Sequence, residues 1–170
     1  MSIRQVSVTR KSGASQGPAE ADKASGKTSP HQLVEQARAA HALAWIQSAQ
    51  ANGDIKQSEL KSFTRRLPGM IQVNGFGQAM AFYYAKRSKS AAYQAVYGLV
   101  ETWLCGPHEH QQTTGTPLFA AHAQTTPALL TAITAENQQC YRHAQAETQA
   151  LLRWAKKFAE ALVKDDEVPE

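Results

Sequence analysis

His108-Glu109-His110 is the closest pair of imidazoles in the chain. Histidines at i, i+2 in a glycine–proline loop are not the i, i+4 arrangement of a helical zinc site, and no third ligand follows at a matching distance. Recruiting His122 would give a small metal-dependent hydrolase built on His108, His110 and His122; a flexible histidine-rich loop accounts for the same residues. Cys105 and Cys140 lack the setting of a nucleophile, and two cysteines make neither a disulfide framework nor a four-ligand zinc site. There is no G-x-S-x-G elbow, and Gly75-Phe76-Gly77 lacks the lysine and the preceding strand of a phosphate-cradling loop. The 14 acidic residues are scattered, which leaves paired-carboxylate chemistry little to use. The chain reads as a protein without catalytic residues, cofactor or metal.

Charge is the chemistry that remains. The formal excess is only +4, yet it is unevenly divided. Residues 1–29 hold five cations and two acids, and Lys56 to Lys89 hold seven cations and one acid. Residues 90–141 carry three acids and no cation, 142–164 carry five cations and two acids, and 165–170 carry four acids. At the α-helical step of about 100° per residue, with Arg142 at zero, Arg153 falls near 20°, Lys156 near −40°, Lys157 near 60° and Lys164 near 40°. All five cations share about a 100° arc, with the apolar stripe roughly 145° away. Glu160 falls inside that arc, spaced to pair with Lys156 or Lys164. Lys61 and Arg65 are i, i+4 neighbours opposite Leu60, Phe63 and Leu67, and Lys86 and Arg87 extend the first basic block. A solvated face explains any one of these runs. Two blocks with few interleaved acids point instead to nucleic acid, contacted through phosphates rather than base edges. Trp154 projects near 120°, off the main stripe and beside Phe158. It is either packed on a second side of the bundle or an anchor for a partner protein.

These faces require helices. Alanine occurs 29 times and glutamine 17 times, whereas valine and isoleucine total 13, too few for a sandwich or barrel. Residues 1–29 have no aromatic side chain and read as a flexible basic arm; 165–170 read as an acidic tail. Between them, 30–164 form one helical domain. Ser29-Pro30 starts a helix to about Ala51, with Leu33, Ala37, Ala40 and Ala44 as its stripe, ended by Asn52-Gly53-Asp54. A second starts at Ser58, and Pro68 opens a third, apolar nearly all round from Met70 to Tyr84 and central to the bundle. Asn74-Gly75 could be a hairpin turn, but its flanks do not alternate, so helix is preferred. A fourth helix spans about Ser90 to Leu104, and 105–125 read as a loop or poorly ordered insertion. Thr126-Pro127 repeats the cap-plus-proline start of a short helix, and a long C-terminal helix runs from about Gln138 to Lys164. The expected fold is an all-α bundle of about five to six helices. Ser7 to Ser29 is polar where a signal peptide would be apolar. The uncharged run Pro68 to Ala85 contains Gln72, Asn74, Gln78 and three glycines, which suits protein rather than lipid. The chain therefore reads as cytoplasmic.

Two segments carry a family resemblance. Leu67-Pro68-Gly69-Met70-Ile71-Gln72-Val73-Asn74-Gly75-Phe76-Gly77-Gln78-Ala79-Met80-Ala81-Phe82, and Tyr141-Arg142 with Glu147-Thr148-Gln149-Ala150-Leu151-Leu152-Arg153-Trp154-Ala155-Lys156-Lys157-Phe158-Ala159-Glu160-Ala161, resemble the motifs of the small helical subunit of the type III-B CRISPR RNA-guided effector, the Cmr complex. They stand in the expected order and cover about a quarter of the chain. The resemblance implies a non-catalytic subunit that stacks with copies of itself as a short filament. Its partners would be the backbone subunits, the large signature subunit and the crRNA–target RNA duplex. It transfers no individual RNA-contact residue. Lys61, Arg65, Arg66, Lys86, Arg87, Arg142, Arg153, Lys156 and Lys157 are candidates from charge geometry alone, with Trp154 as candidate partner contact. The competing expectation is a helical protein–protein adaptor that does not touch nucleic acid.

Overall fold

The computed structural model describes residues 29–164, and no strand occurs among them. The basic arm, apart from Ser29, and the acidic tail lie outside the described residues. The helices are α1 (Pro30–Ala51), α2 (Gln57–Asn74), α3 (Phe76–Lys86), α4 (Ala91–Cys105), a single turn α5 (Gln111–Thr114), α6 (Ala128–Ala135) and α7 (Gln138–Leu162). The fold is all-α, with six helices of eight residues or more and a long C-terminal helix. Starts follow capping chemistry. Ser29 Oγ accepts from the Gln32 N–H ahead of Pro30, and Asn137 Oδ1 accepts from the Cys140 N–H at the head of α7.

The centre of the bundle is α4, which packs on α1, α2, α3, α6 and α7. Val96, Tyr97, Leu99, Val100 and Leu104 are buried along it, and Glu101 is its single charge. The uncharged run expected to form one central helix is instead divided. Pro68 does not open a helix: it lies inside α2, because Leu67 and Ile71 are both buried and hold the turns on either side. Its missing N–H leaves the Thr64 carbonyl without its usual i+4 donor, a cost the packing absorbs. The break comes at Gly75, whose φ of 84° and ψ of 156° end α2 and begin α3. A left-handed extended conformation of this kind belongs almost solely to glycine. Gly77 follows because a Cβ there would stand 3.2 Å from Ile133 Cγ2 and 3.5 Å from Tyr141 Oη. The segment is also less buried than its composition suggests, with Val73 83% exposed and Phe82 37% exposed.

Three further expectations are corrected. The buried face of α1 runs through Arg38, Ala42, Ile46 and Ala49, with Ala37; Leu33, Ala40 and Ala44 are exposed. Alanines on every side of α1 mark no face, so the guanidinium at 38 decides it. Helix α6 starts at Ala128, after a Pro127 that is extended (ψ 126°) and supplies no side-chain cap. Helix α7 ends with Leu162 exposed and Val163 buried. Within 105–125, Phe119 is fully buried and its N–H donates to the Leu104 carbonyl at 2.7 Å.

Arg38 ties α1 to α7. Its Nε and Nη2 both reach the Glu147 carboxylate, the former at 3.1 Å, while Nη1 reaches Glu35. Trp103 of α4 donates to the same Glu147 oxygen at 3.4 Å.

Three substitutions test this account in urea unfolding. Gly75→Ala should cost about 1–3 kcal/mol, because alanine must adopt a glycine conformation. Gly69→Ala, in helical backbone with open space around it, should be neutral or stabilising by up to about 1 kcal/mol. Glu147→Ala should cost about 3 kcal/mol, since it removes the carboxylate that meets two nitrogens of a buried guanidinium and leaves it only Glu35. A smaller loss than for Gly75→Ala would show that Arg38 does not depend on Glu147.

Candidate nucleic-acid interface

Helices α2 and α7 lie side by side, and their seam brings the two basic blocks together. Arg65 Nε stands 3.5 Å from Glu160 Oε1, and Lys61 Nζ donates to the Val163 carbonyl at 3.4 Å. Glu160 was expected to pair along its own helix with Lys156 or Lys164; Arg65 across the seam takes it instead. Gln149 of α7 also donates to the Pro68 carbonyl of α2, using an acceptor on the proline turn.

The cations of α7 fall on the side the helical projection assigned them. Arg142, Arg153, Lys156 and Lys157 are all exposed, whereas Ala144, Thr148, Leu151, Leu152, Ala155 and Ala159 are buried. Among the described residues, no carboxylate lies at ion-pairing distance from any of these four cations. Arg142 stands about 16 Å along the axis from Arg153, at roughly 1.5 Å per residue.

Trp154 sits in a cleft of about 380 Å³ rimmed by Arg153, Lys156 and Lys157 together with Glu35 and Glu160. Its indole N–H donates to Glu35 Oε2 at 3.0 Å, and its ring stacks on Phe158 with centroids 5.8 Å apart. That hydrogen bond, ahead of the Arg38 charge, holds the Glu35 carboxyl below the usual carboxylate range. Trp154 is thus half-buried and committed on its polar edge to α1.

The other three candidates form a second group. Arg66 donates to Tyr93 Oη at 2.6 Å and lies 5.3 Å from the Phe63 ring centre. Lys86 stands 5.6 Å from the Phe82 ring, and Arg87 lies 3.6 Å over Tyr84. The nine sequence candidates therefore divide into a cationic group along the α2–α7 seam and a cation–aromatic surface. The aromatic partners, Phe63, Phe82 and Tyr93, were missed. They come from three helices; Phe63–Arg66 and Phe82–Lys86 have helical spacings visible in the sequence, whereas Tyr93 reaches Arg66 only through the packing of α2 on α4.

The histidines do not assemble as the metal reading required. His122 is held by Glu136 at 2.9 Å, away from the pair at 108 and 110. His41 of α1 joins that pair instead, its ring 5.5 Å from His108 and 6.3 Å from His110. His108 stacks on Trp103 at 4.7 Å. The three imidazoles edge a cavity of about 500 Å³ between α1 and α4. Among the described residues, no group of three ligand side chains is placed to hold a metal ion. Burial, then Glu101, pushes the Cys105 thiol up to about 12, which leaves it protonated and inert. No helix among the described residues is long and apolar enough to cross a membrane.

The described residues form an all-helical bundle with an exposed cationic face on α7. Residues 34–162 match the family described as CRISPR-associated protein (Cas_Cmr5). The chain belongs to that family, the small subunit of the type III-B Cmr CRISPR complex. Members of the family are generally non-catalytic subunits. No match was found among curated proteins.

Burial, with the nearby His108 and His110, pushes the His41 imidazole down to about 4. A histidine whose folded value lies below its unfolded value of about 6.5 binds fewer protons folded than unfolded, so stability falls as pH drops through that interval. Relative to His41→Gln, the wild type should lose up to about 1.4 kcal/mol per pH unit between pH 6.5 and 4. Parallel stability curves for the two proteins would remove His41 as the cause.

Proposed function

We propose that this subunit stabilises the guide–target RNA of its complex through the ridge formed by Arg142, Arg153, Lys156 and Lys157, continued on α2 by Lys61 and Arg65. The observation that carries this reading is four exposed cations on one helix, none of them with a carboxylate at ion-pairing distance among the described residues. A solvated helix face ordinarily carries acids and bases in alternation. A ridge of one sign gains most from a polyanion, because binding releases the counterions condensed on it. Side chains of this type bind phosphates and do not read sequence, which suits a subunit that must accept any guide.

In this reading the subunit is cytoplasmic and has no catalytic role. It stacks with further copies of itself and lies beside the backbone subunits, with the large signature subunit at one end. Trp154 serves as a protein contact only through the face left open in its cleft, since its N–H is already bonded to Glu35. Arg66, Lys86 and Arg87 belong to the same RNA surface beyond the seam.

The test is target capture by the assembled complex across a salt series. Replacing Arg153, Lys156 and Lys157 together by glutamine should weaken capture and reduce the slope of log affinity against log salt by about 2–3, at roughly 0.7–0.9 per phosphate contact. Unchanged capture with an unchanged slope would leave the ridge to solvent. The adaptor reading gives the opposite result, with Trp154→Ala abolishing assembly and the charge variant assembling and capturing as the wild type does.

A further inference from the structure

Phe82 is a large apolar side chain left more than a third exposed on α3. It does not stand alone. Its ring meets Tyr93 at 5.9 Å in an edge contact, and Tyr93 is itself stacked on Phe63 with centroids 3.9 Å apart. Two cations flank the same ring, Arg66 at 5.9 Å and Lys86 at 5.6 Å from its centre. The Arg66 guanidinium is fixed there by its bond to Tyr93 Oη and by the faces of Phe63 and Tyr93. Among the described residues, no carboxylate lies at ion-pairing distance from Arg66 or Lys86.

The surface also connects to the seam. Arg65 and Arg66 are consecutive on α2, yet Arg65 turns to Glu160 of α7 and Arg66 to Tyr93 of α4. Between those directions runs a shallow cleft of about 420 Å³, lined by Ser58, Lys61, Ser62, Arg65 and Arg66. The cleft thus borders the α7 seam at Arg65 and the Phe82 surface at Arg66.

We propose that the Phe63–Arg66–Phe82–Lys86–Tyr93 surface is a stacking site for an unpaired base of single-stranded RNA, with the adjoining phosphates in the Ser58–Arg66 cleft. The inference rests on the nucleic-acid reading above and adds a base to it. A π face with cations at its margin is the arrangement that holds unstacked bases without reading their identity. A duplex, whose bases are already stacked, gains nothing from it and uses only the ridge. Acidic peptides would be drawn by the cations, but they would leave the open Phe82 face unused.

The experiment compares the full chain's binding to labelled oligouridine and to a length-matched RNA duplex by fluorescence anisotropy. Phe82→Leu keeps apolar bulk and removes the π face; it should weaken oligouridine binding roughly 5- to 100-fold and leave duplex binding and the salt slope unchanged. Phe82→Tyr should bind as the wild type does. In the unmodified chain, light-induced crosslinking from 5-iodouridine should label peptides containing Phe82 or Tyr93, a readout independent of any variant's folding. Oligouridine binding unaffected by Phe82→Leu, or crosslinks confined to α7, overturns the stacking site. If the triple charge variant still weakens both RNAs in that case, the ridge reading survives without it. If the unmodified chain binds neither RNA, both fall together.

Discussion

Everything on the outer surface of α7 depends on how a single guanidinium is satisfied. Arg38 is buried on α1 at 8% exposure, where an unpaired charge would cost several kcal/mol. Two carboxylates meet it: Glu35 one turn back on its own helix, and Glu147 across the interface on α7. Glu147 also accepts from Trp103 of α4, so three helices converge on one carboxylate. Coulomb attraction between buried partners barely exceeds their desolvation, so the pair adds little net stability. What it fixes is rotation. With Glu147 turned toward α1, the residues at 153, 156 and 157 must face outward, because each step along a helix turns about 100°.

The same constraint explains the neighbours of the ridge. Glu35 has one oxygen on Arg38 and the other on the Trp154 indole, so the Arg38 cluster reaches two turns further along α7. Tyr141 then holds the opposite end of that helix, its hydroxyl accepting from the Gly77 N–H at 2.9 Å. Gly75 turns the chain so that the Gly77 N–H reaches Tyr141, and a Cβ at 77 would press on Ile133 Cγ2 at 3.2 Å. Cations on the exposed side of α7 are therefore carried by a helix pinned at both ends. Little conformational freedom is left for a bound anion to remove, apart from that of the long side chains themselves.

Much of this was legible from residue order. The central α4 and the long α7 have periodic apolar positions, and Ser29 and Asn137 begin helices by local hydrogen bonds that sequence spacing encodes. The exposed cations of α7 followed from the 100° step alone. What failed was whatever depended on distant partners. The α1 face was misplaced because alanine is scattered round it, and the deciding pair, Arg38 and Glu147, is 109 residues apart. Pro68 carries a strong local stop signal, but burial of Leu67 and Ile71 overrode it and moved the break to Gly75. Glu160 had two local partners at i±4 and bonded instead to Arg65, across an interface no spacing reveals. His41 likewise joined His108 and His110 only through the contact of α1 with the loop after α4.

A ridge of like charges stores a preference. Arg153, Lys156 and Lys157 lie within two turns of one another with no carboxylate at ion-pairing distance among the described residues, and their mutual repulsion is lowered by salt or by a polyanion. An ordinary surface would relieve it by interleaving acids, and this helix has only Glu147 and Glu160 available. Glu147 is withdrawn to Arg38, and Glu160 is drawn to the Arg65 side of the seam. Both acids of the helix are thus spent on neighbouring helices rather than on its own cations. The interactions that lock α7 into the bundle are the ones that leave its outer face uncompensated. In the proposed reading, folding and affinity for RNA share one cause, the diversion of two carboxylates.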